Sequence, residues 1–395
     1  MKLAYLTTCF GTPSHTFIRR ELREFEKRGL DVTLLGVRRD SKLSPDSSDL
    51  VEATNYLYPL SILKILFLNL YFASVHSSRY WKAVYTCLTG QNESLKNRLK
   101  LLYHLFVSVV HAKFVLDEKI THVHAHFLNV SASITMFAAR LSGVPYSITI
   151  HSAGEKNLPH VIAIAAKLKY AQSLLMISKY NIDYYNEIYP CKDKSKVVRC
   201  GMDIAAFEAR EIRSISKPIR LLAVGRFVEK KGFKTLLESA KLLKNRGFEF
   251  KLDILGYGPD FENLSAYVSQ NNLDDCVCLP GQASTEEVKQ KMLLSDVVIV
   301  PSVTSASGEK EGIPVVLMEA MLSGIPVIAT AHSGIPELVN ASTGALIPER
   351  DSEALANEIE QFGISPEKID AARSLIMSEF NISRIIDQRL SIFSK

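Results

Sequence analysis

The feature that most constrains this chain is an alternation of short apolar runs with helical stretches, repeated in two separate series. In the first, KLAYLTT, a helical stretch over Ser14–Gly29 and DVTLLGV make one β-α-β unit. HVHAHF, a helix over Ser131–Ser142 and PYSITIH make another, and SLLMISK followed by KVVRCG closes the series. Strands joined in this way lie parallel, with helices on both faces of the sheet. Around Asp203–Pro218 the sequence turns polar and irregular, as a linker does. The alternation then resumes with RLLAVG, Phe233–Asn245, FKLDILG, Asp260–Asn271, VCLPG, Thr285–Leu294, DVVIVPS, a helix from about Pro314 to Leu322, and PVIATA. The expected architecture is α/β: two Rossmann-like, doubly wound parallel-sheet domains, 1–204 and 205–379, facing across a cleft where ligands meet the C-terminal strand ends. A length of 395 residues suits two such domains, and 47% apolar with 23% charged residues excludes a disordered or fibrous chain.

The region 43–119 breaks the rhythm with apolar helices and reads as a helical insertion in the first domain. Within it, Leu60–Val75 and Leu101–Val110 are the candidates for membrane contact. The first is about 16 residues long and contains Lys64, short of the ~20 needed to span a bilayer. Both are read as buried helices, with an interfacial helix lying on the bilayer as the alternative. The net charge of +5 conceals a division: residues 1–200 carry 26 Lys and Arg against 15 Asp and Glu, whereas 201–395 carry 21 against 27. A split of +11 against −6 implies different partners, with the first half drawn to an anionic phase. Six cysteines without metal-type spacing suit free thiols in a reducing, cytoplasmic compartment, and the N-terminus lacks a signal-peptide core.

The strongest chemical signal is the stretch SASGEKEGIPVVLMEAMLSGIPVIATAHSGIPELV. Glu311 and Glu319 bracket Gly312, Ile313, Pro314 and Val315, where a helix opens. If fully helical, the interval sets the carboxylates about 12 Å apart. That exceeds the ~5–5.5 Å of a retaining glycosidase pair and the ~9.5 Å limit of an inverting one, so they do not share one bond. Carboxylate, helix N-terminus and second carboxylate instead match hydroxyls, phosphate and further hydroxyls, the chemistry of a nucleotide sugar. Gly225 and Arg226 follow the strand RLLAV, and Lys231 closes the same loop; two cations there neutralise a diphosphate without a metal. The turn Gly256-Tyr257-Gly258 is an incomplete dinucleotide fingerprint and reads as a close-approach turn. In the first half, Gly11, His15, His124, His126 and His151 stand at or beyond strand ends. His151 is preferred as the one facing the ligand, and His124 shares a strand face with His126, which makes one of them structural.

Taken together, GRFVEKKG, GYGP, EKEGIPVVLMEAM and SGIPELV resemble the donor domain of retaining glycosyltransferases of family 4, which have the GT-B fold. SHTFIRREL, HAHF and VVRCGMDIAAF extend the resemblance over nearly the whole chain, most like the subgroup that builds bacterial exopolysaccharides such as colanic acid and amylovoran. By position, the resemblance implies that Arg226 and Lys231 grip the donor diphosphate and that Glu311 and Glu319 contact the sugar and ribose hydroxyls. It implies that Gly312, Ile313 and Val315 offer amides to the phosphates, that Gly11 approaches the donor, and that His151 lies near the reacting sugar. His15, His124 and His126 become acceptor-side candidates. No metal or other cofactor is expected, and no nucleic acid; the partners are a nucleotide sugar, a saccharide or polyprenyl-diphosphate-linked acceptor, and the inner face of an anionic membrane. Two positions depart from the pattern: the first loop has one glycine where many members have two, and Ser333 stands where the first of a glycine pair is usual. A C-terminal helix near Ile382–Phe393 is expected to cross back onto the first domain. The competing readings are a sugar-nucleotide epimerase or phosphorylase on the same fold, and a non-catalytic nucleotide-sugar-binding protein.

Overall fold

A computed structural model describes residues 1–12, 15–40, 48–89, 93–154, 158, 161–212, 214–215 and 217–394. Ser14, part of the expected first helix, and residues 43–47, at the start of the expected insertion, lie outside the described residues. The chain divides into two compact units, one of 1–151, 155–201 and 382–395, the other of 152–154 and 202–381.

The first unit runs β1 (Leu3–Thr7), α1 (Thr16–Lys27), β2 (Val32–Gly36), α2 (Ser48–Glu52), β3 (Asn55–Tyr56), α3 (Ile62–Val75), α4 (Ser77–Thr89), α5 (Leu95–Asp117), β4 (His122–His126), α6 (Val130–Ser142), β5 (Tyr146–Ile150), α7 (Ile164–Tyr170), β6 (Ser173–Met176), α8 (Lys179–Ile188) and β7 (Ser195–Val197). Its seven strands are all parallel, in the order β3-β2-β1-β4-β5-β6-β7. Apolar runs pack the sheet on both faces, as parallel sheets require. The stretch Leu101–Val110 is not a separate short helix but the middle of the 23-residue α5. By length and composition α5 is able to cross a membrane, yet half of its most apolar window is buried, with Leu105, Val109 and Ala112 packed in the core. Helix ends carry local signals: Asn129 caps α6 by accepting from Ser131 N at 2.9 Å, and Ser94 caps α5 by accepting from Asn97 N.

The second unit runs β8 (Ile219–Val224), α9 (Phe233–Asn245), β9 (Phe250–Leu255), α10 (Phe261–Gln270), β10 (Val277–Gly281), α11 (Thr285–Leu294), β11 (Val297–Val300), α12 (Val315–Leu322), β12 (Val327–Thr330), β13 (Ala345–Ile347), α13 (Ser352–Glu360) and α14 (Pro366–Glu379). Six parallel strands follow the order β10-β9-β8-β11-β12-β13. In both sheets the strand order reverses at one point, between β1 and β4 in the first and between β8 and β11 in the second. A doubly wound sheet opens its ligand crevice at such a point. The capping box at α11, where Ser284 and Glu287 exchange side-chain and backbone bonds, fixes that helix start. Each unit is a Rossmann-like parallel sheet flanked by helices.

The last helix, α15 (Ile382–Phe393), belongs to the first unit. Ile382, Ile385, Ile386, Arg389 and Phe393 form its buried stripe. It covers a face of β4 that is wholly histidine: His122 stacks on Phe393 with ring centroids 4.8 Å apart, and His124 faces the same ring at 5.0 Å. Arg389, fully buried, pairs with Glu21 of α1 at 2.7 Å and donates to Thr149 Oγ1 at 2.9 Å. Glu21 occupies an apolar-stripe position of α1, and burial raises its pKa to about 7 against the opposing pull of Arg389 and the Tyr5 hydroxyl.

Candidate active site

In the second unit, β8 ends at Val224 and hands the chain to Gly225, Arg226 and Phe227. Phe227 is fully buried, stacked on Phe261 at 5.9 Å and edge-on to Phe233 at 5.5 Å, and so anchors the loop. The two glycines of the GYGP turn lie against the backbone of the loop after β8. A Cβ on Gly256 would stand 1.8 Å from Gly225 O, so its glycine permits this loop-on-loop approach, with Phe227 N donating to Tyr257 O at 2.7 Å. Gly232 ends the loop in the left-handed region at φ 68°, and a Cβ there would stand 1.8 Å from Pro301 O. The loop after β8 is thereby seated on the loop after β11, the two strands that flank the reversal point.

This seating brings the sequence-selected charges together. Lys231 Nζ lies 2.7 Å from Glu311 Oε2, both side chains mostly enclosed, and Lys230 pairs with Glu309. Burial opposes ionisation of Glu311, but Lys231, Lys230 and the N–H of Gly312 outweigh it and hold the pKa at about 2. Glu311 is therefore a carboxylate at any working pH. Arg226 stands exposed at the tip of the loop.

The interval between Glu311 and Glu319 differs from a continuous helix. Helix α12 starts only at Val315, with Pro314 extended as its N-cap, so Ile313 and Pro314 are buried approach residues and Glu319 sits in the helix's second turn. The Gly312 amide bonds the Glu311 carboxylate, which leaves the first-turn amides of Val315 and Val316 as the helix N-terminal donors.

One residue in this site escaped the sequence reading. His332, fully buried just past β12, accepts from Glu311 N through Nε2 at 3.0 Å and meets Glu349 Oε1 through Nδ1 at 2.7 Å. Accepting at Nε2 requires the proton on Nδ1, so the imidazole donates to Glu349. Glu349 in turn accepts from Thr304 N at 2.7 Å, and despite its burial the His332 and Thr304 bonds hold its pKa low. A chain of bonds from Thr304 through Glu349 and His332 thus fixes the backbone that carries Glu311. The only signal in the sequence was a histidine right after a buried strand. Ser333 takes up the left-handed conformation at φ 49°, the geometry for which glycine is usual at that position.

In the first unit, the histidines part ways. His122, His124 and His126 share one face of β4, all buried. His124 is bonded to Ser147 Oγ at 2.7 Å and Thr149 Oγ1 at 2.8 Å beneath α15, which makes it an interior packing residue rather than an acceptor contact. His126 likewise lies in the interior, its Nδ1 3.0 Å from His151 Nε2. His151 packs on Phe17 and Phe127 with ring centroids at 4.4 and 4.7 Å, and among the described residues its Nδ1 meets the Cys200 thiol, a weak partner, at 3.7 Å. His15 lies beside Phe127 at 4.8 Å, burial lowering its pKa to about 4, and Gly11 is buried in the loop after β1.

The comparisons agree with this geometry. The family profile for group 1 glycosyl transferases matches residues 206–374, the span that holds the Lys231–Glu311 pair. The amylovoran biosynthesis glycosyltransferase AmsK of Erwinia amylovora is 30% identical over 96% of each chain. WcaL of Escherichia coli K12, named for colanic acid biosynthesis, is 29% identical over 99% of this chain and 98% of its own. Among solved structures, Anabaena Alr3699/HepE in complex with UDP and glucose covers both chains completely with a TM-score of 0.73 at 16% identity, a likeness of fold. Matched from end to end by AmsK, and by the family profile over the unit that carries the paired charges, this chain belongs to the group 1 glycosyl transferases.

Proposed function

We propose that this glycosyltransferase moves a hexosyl unit from a nucleotide-diphosphate sugar to a hydroxyl of a saccharide carried on a polyprenyl diphosphate, with retention and without a metal, in exopolysaccharide assembly at the inner face of the cytoplasmic membrane. The observation that carries the reading is the Lys231–Glu311 pair, with Arg226 on the same loop as Lys231, at the reversal point of the second sheet. In this reading Arg226, Lys231 and the first-turn amides of α12 receive the charge that grows on the departing diphosphate. Glu311, ionised and held by His332 through its own N–H, accepts from the sugar hydroxyls, and Glu319 from the ribose. The acceptor oxygen bonds the anomeric carbon as the bond to the diphosphate oxygen breaks; the electron pair leaves with the nucleotide, and the hydroxyl proton passes to a phosphate oxygen on the same face. His151, neutral because burial pushes its pKa far down, exchanges the thiol at Nδ1 for a hydroxyl of the reacting sugar. The names of AmsK and WcaL support the exopolysaccharide assignment, and the UDP and glucose in the HepE complex support a nucleotide-sugar donor.

The test is donor hydrolysis across UDP-, GDP- and dTDP-sugars, then transfer to a polyprenyl-diphosphate oligosaccharide, each with and without EDTA. One donor turns over with EDTA present, and Lys231→Ala loses about 100-fold or more in rate at unchanged fold, the scale expected of one group that stabilises a leaving anion. Near-normal turnover of that variant refutes the donor-site assignment; strict Mn²⁺ dependence refutes the metal-free mechanism.

A further inference from the structure

Helices that are apolar on every side belong inside proteins or membranes, and α3 is apolar on both its buried and its outward side. Ile65, Leu68 and Phe72 face the core, while Leu63, Phe67 and Leu70, one turn apart on the opposite side, are 81%, 68% and 72% exposed. Of the 18 large apolar side chains exposed among the described residues, 13 lie on α3, α4 and α5, Trp81 and Tyr85 of α4 among them. The three helices pack on one another: Asn69 of α3 donates to Phe106 O of α5 at 2.9 Å, and Arg98 of α5 bonds Leu88 O of α4. Residues 53–116 contain seven Lys and Arg and a single acid, Glu93. Lys64, Lys82 and Lys96, one on each helix, are exposed and have no carboxylate partner among the described residues.

We propose that the outward face of α3, α4 and α5 docks the protein on an anionic lipid surface. The chemistry points to lipid: apolar side chains for the acyl boundary, tryptophan and tyrosine for the interface, and unpaired lysines for anionic headgroups. At 14 residues α3 is about 21 Å long, too short to cross a ~30 Å hydrocarbon core, so it lies on the surface. A second copy of the chain is a poor occupant, because a two-fold contact would bring the lysines of this face against themselves. The docking deepens the lipid-linked reading above but rests on this surface alone.

The experiment uses the full chain with phosphatidylcholine vesicles and with vesicles that also contain phosphatidylglycerol, at low and high salt. The protein binds the anionic vesicles, binding weakens about tenfold at high salt, and the triple variant Leu63→Ser, Phe67→Ser, Leu70→Ser loses tenfold or more at unchanged urea midpoint and donor hydrolysis. Equal binding by the triple variant, or no binding to anionic vesicles at low salt, overturns the proposal. So does self-association, by sedimentation velocity, that the variant abolishes while vesicle binding persists. Wild-type protein that hydrolyses donor yet ignores vesicles sinks the docking alone; vesicle binding without any turnover sinks the donor reading and leaves the docking intact.

Discussion

Acidification from about pH 7.5 to about 5.5 should cost the first unit most of its stability. Seven of its histidines are held well below the ordinary value of 6.5, burial being the first cause in each: His104 at about 3, His15, His111 and His122 at about 4, with His124, His126 and His151 also pushed well down. A group with a folded pKa below its unfolded one binds no proton in the fold while the unfolded chain takes one up, so stability falls as pH drops through 6.5. Over this window each site contributes about 1.3 kcal/mol, and seven contribute about 9. Glu21 works the other way. Its folded pKa of about 7 stands above the unfolded value, its contribution is present at low pH and lost as pH rises through 7, and acidification returns about 2 kcal/mol. The net loss is about 7 kcal/mol, comparable to the 5–15 kcal/mol that holds a typical domain together. Trp81, the single tryptophan, lies in α4 of this unit and reports its urea unfolding. The expected result is a collapse of the Trp81 urea midpoint at the lower pH, with loss of amide-exchange protection in β4 and β5. A fall of less than about 2 kcal/mol would refute the reasoning, since it would mean that the histidines take up protons inside the fold.

Arg389→Met should destabilise the first unit by about 3–5 kcal/mol by leaving Glu21 buried without its cation, and the deficit should be smaller at pH 6 than at pH 8 because Glu21 then folds protonated; adding Glu21→Gln should recover most of it, as urea titration of the three variants will show. Gly232→Ala should cost the second unit about 3 kcal/mol, from the left-handed strain and the contact with Pro301 O. That corresponds to roughly 6–12 °C in melting temperature, with donor hydrolysis falling alongside because Lys231 is the preceding residue.

The strand–helix series was legible because parallel strands buried on both faces read as short apolar runs between punctuated helices. Helices α9, α11 and α15 begin and end where the pattern places them, since Gly232, the Ser284 capping box and Asn381 mark their starts in the sequence. Shorter elements left no such trace: β3 is two residues long, and β13 is an edge strand without a preceding apolar helix. On β4 the alternation put His124 and His126 on one face and made one of them structural; in the fold both are interior, because α15, some 265 residues further on, lays Arg389 and Phe393 across that face. The same distance effect hid His332. Its two ring bonds reach 21 residues back and 17 forward, and no local spacing announces them. Arg226, Lys231 and Glu311 were legible because they stand in the loops that leave β8 and β11, the two strands at the reversal point of the sheet.

The charge division acquires a physical meaning once it is located. Of the +11 excess in residues 1–200, +6 falls in residues 53–116, on the helices that also carry the exposed apolar side chains. It is therefore a local patch, with lysines close enough to a docked bilayer to act within a Debye length of about 8 Å. The second unit presents the opposite case. Residues 201–395 carry a net −6, which by itself would repel a nucleotide diphosphate, yet Arg226, Lys230 and Lys231 stand within six residues of one another at the end of β8. Glu311 and Glu309 pair with Lys231 and Lys230 at contact range, so what the site offers a phosphate is set by these few neighbours, just as Lys231 and Lys230 outweigh burial at Glu311. Short range decides both ends of the molecule, and the whole-chain charge of +5 bears on neither.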